Sequence, residues 1–314
     1  MKIAVLVPVH NAEKYLRECL DSVLADPASP EVFCLDDGST DGSLRLLREY
    51  AAANPRVRVS SQPNAGVSAA RNRLMDSLPA EFEAFAFVDA DDYVKPGIYA
   101  ALAEALERTG AAVAECEWDG SETVIDDMSV FVLRETAPGA WINVINKLYR
   151  RDAVAGVRFR EGLAFEEDFL FNYEINARIS RKVLVPGHYY TYRDNPSSAT
   201  QALDHRRYFD SVTRRIRLCH ELFLQPGRIP EGKEAAYRAE LAKDAYRMAI
   251  RKNLKKNRDS AQRRELFFAA GDFFAALERD FGFTPHGLNP VQKLIYTACL
   301  GHNYLFARSL VKLT

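Results

Sequence analysis

Four short apolar runs recur before residue 90, and each stops at a cluster of polar side chains. Ile3 to Val7 is continuously apolar and rich in β-branched residues; Val32 to Leu35, Val57 to Ser60 and Phe85 to Val88 follow. The stretches between them carry apolar residues at helical spacing. The first has Tyr15, Leu16, Cys19, Leu20, Val23 and Leu24, and ends at Pro27 to Pro30. The second, Leu44 to Ala53, has Leu44, Leu46, Leu47 and Tyr50. The third opens at N-A-G-V-S-A-A-R-N, residues 64–72. Strands apolar on both faces that alternate with helices give a β-α-β-α-β-α-β order. The expected fold is therefore α/β, a doubly wound and mainly parallel sheet. Asn11 is expected to cap the first helix, and Ser39 or Asp41 the second.

Ligands of such sheets bind at the carboxyl ends of the strands. Polar residues gather there: Pro8 to Asn11, Asp36 and Asp37, Asn64 to Gly66, and Asp89 to Asp92. The fourth run, F-A-F-V-D-A-D-D-Y-V-K-P, stops at three carboxylates and is closed by Pro96. Asp89 and Asp91 are two apart, so in extended backbone they point the same way. Two carboxylates on one face repel each other unless a cation joins them, and hard oxygen ligands suit Mg²⁺ or Mn²⁺. A strand that merely ends in a polar turn explains the same residues. No G-x-G-x-x-G follows the first run and no G-x-x-x-x-G-K-[ST] occurs, so a nucleotide here would need a metal on carboxylates to meet its pyrophosphate charge.

The 314 residues are 47% hydrophobic and 27% charged, a soluble globular composition with enough chain for one large or two ordinary domains. Charge is uneven. Residues 1–202 hold 21 Lys and Arg against 31 Asp and Glu, whereas 203–314 hold 21 against 12, which leaves the whole at -1. The basic third could meet anionic lipid, a phosphate-bearing acceptor or nucleic acid, or simply the acidic half. Cys19, Cys34, Cys116, Cys219 and Cys299 are scattered singly, which fits small core residues in a reducing compartment and no zinc site. M-K-I-A-V-L-V-P-V is too short for a signal sequence and is read as a strand. No apolar run approaches the roughly 18 residues that span a bilayer. A cytoplasmic protein is expected, with contact at the inner face of the cytoplasmic membrane left open.

V-P-V-H-N-A-E-K-Y-L at 7–16, D-D-G-S-T-D-G-S at 36–43, N-A-G-V-S-A-A-R-N at 64–72 and D-A-D-D at 89–92 resemble glycosyltransferase family 2, in its order and at plausible spacing. The resemblance covers roughly residues 1–200. It implies a GT-A nucleotide-sugar-binding fold, a UDP-sugar donor, Mn²⁺ or Mg²⁺, and inversion at the anomeric carbon. Carried over by position, Asp37 would accept from the uracil N3–H while Asp36 supports the turn. Pro8, His10 and Asn11 would border the base, and Asn64 and Arg71 would approach the nucleotide. An outward-facing helix arginine accounts for Arg71 equally. Asp89 would contact the ribose, Ala90 would line the donor, Asp91 would ligate the metal together with Asp89, and Asp92 would cap or orient.

N-K-L-Y-R-R-D at 146–152 and F-R-E-G-L-A-F-E-E-D-F-L-F at 159–171 resemble the family segment around its general base. The match assigns catalysis to Glu167 and Asp168, with Asp168 taking the acceptor hydroxyl's proton. Phe165, Phe169 and Phe171 would raise its pKa, and a nearby metal would lower it. By residue type alone, Glu166 to Asp168 could equally open a helix from Phe169 to Ile179, where the dipole favours acids. Tyr189 to Arg193 reads as a last strand before a Ser197 to Thr200 loop, with Arg193 placed to hold a departing pyrophosphate. The Q-x-x-R-W of processive relatives is absent, which implies one or few sugars per encounter.

The expected domains are a catalytic domain over 1–202, with a nucleotide half of about 1–95 and an acceptor half of about 96–202, and a helical region over 203–314. Its helices are Tyr208 to Leu224, Lys233 to Leu254, Arg263 to Phe281 and Pro290 to Leu313, broken at Pro226 to Pro230 and Phe283 to Gly287. The basic cluster Arg251 to Arg258 could lie on an anionic membrane beside a lipid-linked acceptor, or be a solvated helix face. The expected activity is inverting, metal-dependent, non-processive transfer of a hexosyl or N-acetylhexosaminyl group from a UDP-sugar to a cell-surface glycan or lipid-linked saccharide. Nucleic acid is not expected as a partner. The alternatives are a catalytically silent binding or assembly module on the same fold, and a sugar-nucleotide nucleotidyltransferase, which would call for a basic glycine-rich loop after the first strand.

Overall fold

The computed structural model describes residues 1–126, 143–163, 165–193, 205–223, 234–251, 259–285 and 287–310. They belong to two compact units, one drawn from 1–128, 137–162 and 167–196, the other from 129–136, 163–166 and 197–314.

The first unit opens with β1 (Ile3–Val9), α1 (Glu13–Leu24), β2 (Glu31–Asp37), α2 (Ser43–Ala53), β3 (Val57–Gln62), α3 (Val67–Asp76) and β4 (Ala84–Phe87). It continues with β5 (Tyr93–Val94), α4 (Ile98–Thr109), β6 (Val113–Trp118), β7 (Thr123–Ile125), β8 (Lys147–Arg150), α5 (Glu167–Asn176), β9 (Lys182–Pro186) and β10 (Tyr190–Thr191). The eight-stranded sheet runs β3-β2-β1-β4-β8-β6-β9-β7, and β5 pairs β10 in a separate antiparallel ribbon. Pairing is parallel from β3 to β4 and between β6 and β9. β8 enters antiparallel to both its neighbours, and β7 is antiparallel to β9. The α/β, mainly parallel expectation holds.

β1 runs on through Pro8 to Val9, two residues past the apolar run. The Leu6 carbonyl accepts from Val88 N–H, so alternation turns Pro8 toward the same side, beyond the last β1–β4 pair at Leu6 and Phe87. The missing N–H therefore costs no ladder bond.

Alternate side chains of β4 serve opposite faces. Ala84 and Ala86 join Val5, Val7, Leu16, Leu20 and Leu102 in the core under α1 and α4. Phe85 and Phe87 join Tyr149, Phe159 and Phe171, with the last two stacked at 4.0 Å between centroids. Buried charge ties β6, β8 and β9 together. Glu115 pairs with Lys182 and lies 3.5 Å from Lys147 Nζ, which also donates to the Asn143 carbonyl at 2.6 Å and to Asn146 Oδ1 at 3.1 Å. Burial drives Lys147 down to about 8, with Glu115 resisting and Lys182 assisting the drop.

The helix starts differ from expectation. Asn11 does not cap α1. It sits at φ 50, its Oδ1 accepts from Thr40 N–H at 2.8 Å, and its own N–H donates to Ser39 Oγ at 3.0 Å. Asp41 serves both helices instead, accepting from Glu13 N–H at 3.1 Å and Ser43 N–H at 2.9 Å. The acidic pair Glu167 and Asp168 lies within the first turn of α5, not before it.

The second unit contains α6 (His205–Phe223), α7 (Glu234–Ala245) continuing into a π-helical turn (Tyr246–Arg251), α8 (Ser260–Phe281), α9 (Pro290–Leu300) and α10 (Tyr304–Leu310). Phe267, Phe274, Tyr246, Ile295 and Tyr296 form its core. The single helix expected from Pro290 onward is two, because the chain passes through His302 at φ 52 and Asn303 N–H turns back to the Ala298 carbonyl at 2.7 Å. All five cysteines are free and buried. Residues 252–258 of the basic cluster, the Pro226 to Pro230 break and the Ser197 to Thr200 loop lie outside the described residues. Among the described residues, no helix is long and apolar enough to cross a membrane.

Candidate active site

The ends of β1, β2 and β3 are tied into one polar surface by Asp37. Its carboxylate, 3% exposed, accepts from Gln62 Nε2 at 2.7 Å and from the N–H groups of Ala65 at 2.9 Å and Gly66 at 2.8 Å. Three donors leave about one lone-pair direction for a ligand. Gly66 reaches Asp37 at φ 89, and Gly38, at φ 70, lets the loop close, since a Cβ there would stand 2.6 Å from the Asn64 backbone nitrogen. His10 Nδ1 lies 2.8 Å from the Asp37 carbonyl oxygen and 3.0 Å from Asn64 Nδ2, and Nε2 lies 3.2 Å from Asn11 Nδ2. Asn64 Nδ2 donates to the same carbonyl at 3.1 Å. His10, Asn11 and Asn64 are exposed and Pro8 half-buried, so they form a rim around Asp37. Asp36 is buried and supports the turn, accepting from Ser39 N–H at 3.3 Å.

The Asp89 to Asp92 loop is folded by a tyrosine. Asp89 N–H donates to Tyr190 Oη at 3.2 Å, and that hydroxyl donates to Asp92 Oδ2 at 2.7 Å. Asp92 also accepts from Arg193 N–H at 2.8 Å, and burial pushes its carboxyl up to about 6 against these bonds. Asp92, 1% exposed, therefore orients the loop. Ala90 is 6% exposed and packs in the hydrophobic core. Arg193 is engaged within the protein. Its Nε donates to the Asp91 carbonyl at 2.9 Å, Nη2 pairs with Glu18 at 2.6 Å, and the guanidinium lies 5.1 Å from both the Tyr15 and Tyr93 rings. Asp89 and Asp91 remain half-buried at the strand end.

The largest departure is Arg71. It is 3% exposed, which removes the outward-facing alternative. Nη2 pairs with Asp89 Oδ1 at 2.9 Å, and Nη1 pairs with Glu167 Oε1 at 3.1 Å and Asp168 Oδ1 at 2.5 Å. Its guanidinium lies 5.3 Å from the Phe159 ring and 6.0 Å from Phe87, so the aromatic cluster forms its floor. Burial works against the charge, but Asp168, Asp89 and Glu167 outweigh it and hold the pKa above the ordinary value. The fold thus brings Asp89 and the distant Glu167 and Asp168 to one point. Burial pushes Asp168 up to about 8; Arg71 opposes this, and Glu167 and Asp89 add repulsion. A carboxylate with that value, 21% exposed as a side chain, can exchange a proton near neutrality.

The mainly parallel, doubly wound sheet with carboxylates at its strand ends is the architecture of the GT-A fold, which the solved structures named below share. Residues 4–162, half of the chain, match the glycosyl transferase family 2 model, and the chain belongs to that family. It is 28% identical over 218 residues to the uncharacterized glycosyltransferase EpsJ of Bacillus subtilis, a match that spans 63% of this chain and 63% of EpsJ. It is 29% identical over 243 residues to the uncharacterized glycosyltransferase YibD of Escherichia coli, covering 68% of this chain and 69% of YibD. The structure of S. aureus TarS 1-349 in complex with UDP-GlcNAc shares the fold with a TM-score of 0.77 at 20% identity, over 99% of this chain and 91% of that one. The mannosyltransferase PcManGT from Pyrobaculum calidifontis, in complex with GDP-Man and Mn²⁺, shares it with a TM-score of 0.57 at 16% identity, over 99% of this chain and 87% of that one.

Proposed function

We propose that this family 2 glycosyltransferase is an inverting, metal-dependent enzyme that moves one hexosyl or N-acetylhexosaminyl group per encounter. The donor is a UDP-sugar and the acceptor a hydroxyl of a cell-surface glycan or lipid-linked saccharide. One observation carries the reading: Asp89, at a nucleotide-side strand end, and the acidic pair Glu167 and Asp168 meet on the same buried Arg71. A donor carboxylate and a base within one guanidinium's reach are what a single-displacement transfer needs. The similar TarS structure holds UDP-GlcNAc, which supports UDP as the carrier.

In this reading Pro8, His10, Asn11 and Asn64 border the base, and the remaining lone pair of Asp37 accepts from uracil N3–H. Asp89 meets the ribose, and Asp91 with Asp89 holds Mn²⁺ or Mg²⁺. The donor set fits such an ion. Asp89, Asp91, Glu167 and Asp168 outnumber Arg71 four to one, and a diphosphate adds further negative charge. Two carboxylates suffice when substrate phosphates and water complete the shell, and among the described residues no three-ligand protein cage competes. A bound cation would offset the charge growing on the departing diphosphate. Asp168 takes the acceptor hydroxyl's proton as its oxygen bonds to the anomeric carbon and the bond to UDP breaks on the opposite face. Residues 1–202 form the catalytic domain and 203–314 a helical region whose net positive charge suits the anionic inner face of the cytoplasmic membrane.

UDP release from a panel of UDP-sugars, with and without Mn²⁺ and with saccharide acceptors, tests the reading. One UDP-sugar is expected to be consumed only with a divalent cation, and Asp91→Ala is expected to abolish transfer. Turnover unchanged by chelator, or full activity in Asp91→Ala, removes the metal role; consumption of a GDP-sugar alone removes the donor assignment.

A further inference from the structure

We infer that Arg71 is the positioning residue of the transfer: it holds the base pair against the donor strand end and does not itself bind the donor. The inference rests on the reading of Asp168 as the base. Both Nη atoms already face carboxylates, and the side chain is 3% exposed, so a donor phosphate could reach it only by displacing Asp89 or Asp168. Asp89 stands 18 residues away and Asp168 97 residues away in the chain, one in the loop after β4 and the other in α5. No other side chain among the described residues pairs with both.

The geometry requires an arginine. A planar fork grips carboxylates on two edges at once, whereas an ammonium is a point charge that would favour one side. Phe159 and Phe87 beneath the guanidinium fix its plane, so Asp168 Oδ1 is held in one place. Stability alone does not explain the arrangement. Three carboxylates on one buried guanidinium leave excess charge of one sign, and apolar packing would serve a merely structural contact better. Nε, moreover, is buried without a hydrogen-bond partner among the described residues. The cluster makes sense as orientation of the reacting carboxylate, where small displacements cost large factors in rate.

The test uses the full chain, its active UDP-sugar and UDP itself as the binding probe. Arg71→Ala is expected to bind UDP within about threefold of wild type while kcat falls by about 10²-fold or more, with donor KM nearly unchanged. Methylguanidinium should restore at least about tenfold of that loss and methylammonium should not. In the Asp168→Asn background, Arg71→Ala should cost less than about threefold further, because the two act as a unit. Should Arg71→Ala fail to fold, Arg71→Lys carries the same measurement: folded and slow with UDP binding intact supports the inference, folded with wild-type kcat overturns it. Loss of UDP affinity by tenfold with kcat preserved at saturating donor would make Arg71 a donor ligand and also overturn it. A fully active Asp168→Asn would instead overturn the underlying reading of the base. Wild-type rates in Arg71→Ala with an inactive Asp168→Asn would sink this inference alone.

Discussion

Asp168→Asn separates binding from chemistry, and the structure supplies the size of the effect. The carboxyl is pushed up to about 8, chiefly by burial, and works as a base only when ionised. The ionised fraction therefore grows through the neutral range, and kcat/KM should rise with pH there until the carboxyl is fully ionised. Removing the base should lower kcat by about 10²- to 10⁴-fold, and the residual rate should lose this acidic limb. UDP binding should be intact, since Asp168 belongs to the acceptor side. Initial rates of UDP release from pH 5.5 to 9.5 would be read beside calorimetric UDP binding for both proteins. A limb that persists in Asp168→Asn belongs to another group, and an undiminished kcat removes Asp168 from the reaction.

Two further predictions concern the scaffold. Glu115→Gln leaves Lys147 and Lys182 buried without their carboxylate and should cost about 3–5 kcal/mol in urea unfolding; a cost below about 1 kcal/mol would mean water reaches the cluster. In wild type, Lys147 is held near 8 in the folded state against an ordinary value of 10.5, so between these values the unfolded chain binds more protons and stability should rise with pH. Urea midpoints at pH 7.5 and 9.5 measure that slope, and it should vanish in Lys147→Met. Gly38→Ala sets a methyl against the Asn64 backbone at a left-handed φ and should destabilise by about 1–3 kcal/mol while weakening UDP binding, because the loop held by Asp37 is displaced. Unchanged melting and unchanged UDP affinity would show that the loop has room.

The first four strands and three helices were legible because they rest on local periodicity, and so were the polar strand ends, since ladder register alone brings Asp36 beside Val9 and Gln62 beside Asp37. The antiparallel entry of β8 between β4 and β6 was not, because apolar runs carry no direction and the pairing joins segments far apart in sequence. That Asp41, expected at α2, also serves α1 in place of Asn11 was hidden for a similar reason. Both residue types cap helices, and which one does so here depends on the two loops packing together, Asn11 bonding Thr40 while Asp41 reaches Glu13.

Arg71 shows where a sharper reading was available. It precedes Leu74 by three residues and Met75 by four, which places it on the buried face of its own helix. An arginine there must find carboxylates, because an unpaired buried charge is too costly to keep. Asp89 at the next strand end was one candidate partner. What local pattern withholds is the second set, since Glu167 and Asp168 arrive only once β8 and the aromatic cluster of Phe87, Phe159 and Phe171 have packed α5 against the sheet. Phe87 and Phe159 also floor the guanidinium, so the packing that delivers the base and the packing that orients its anchor are the same contacts. A substitution such as Phe159→Leu, which opens that floor without touching a charge, should therefore slow transfer more than it weakens UDP binding. Equal losses in kcat and in UDP affinity would mean the floor supports the fold as a whole and has no separate hold on the base.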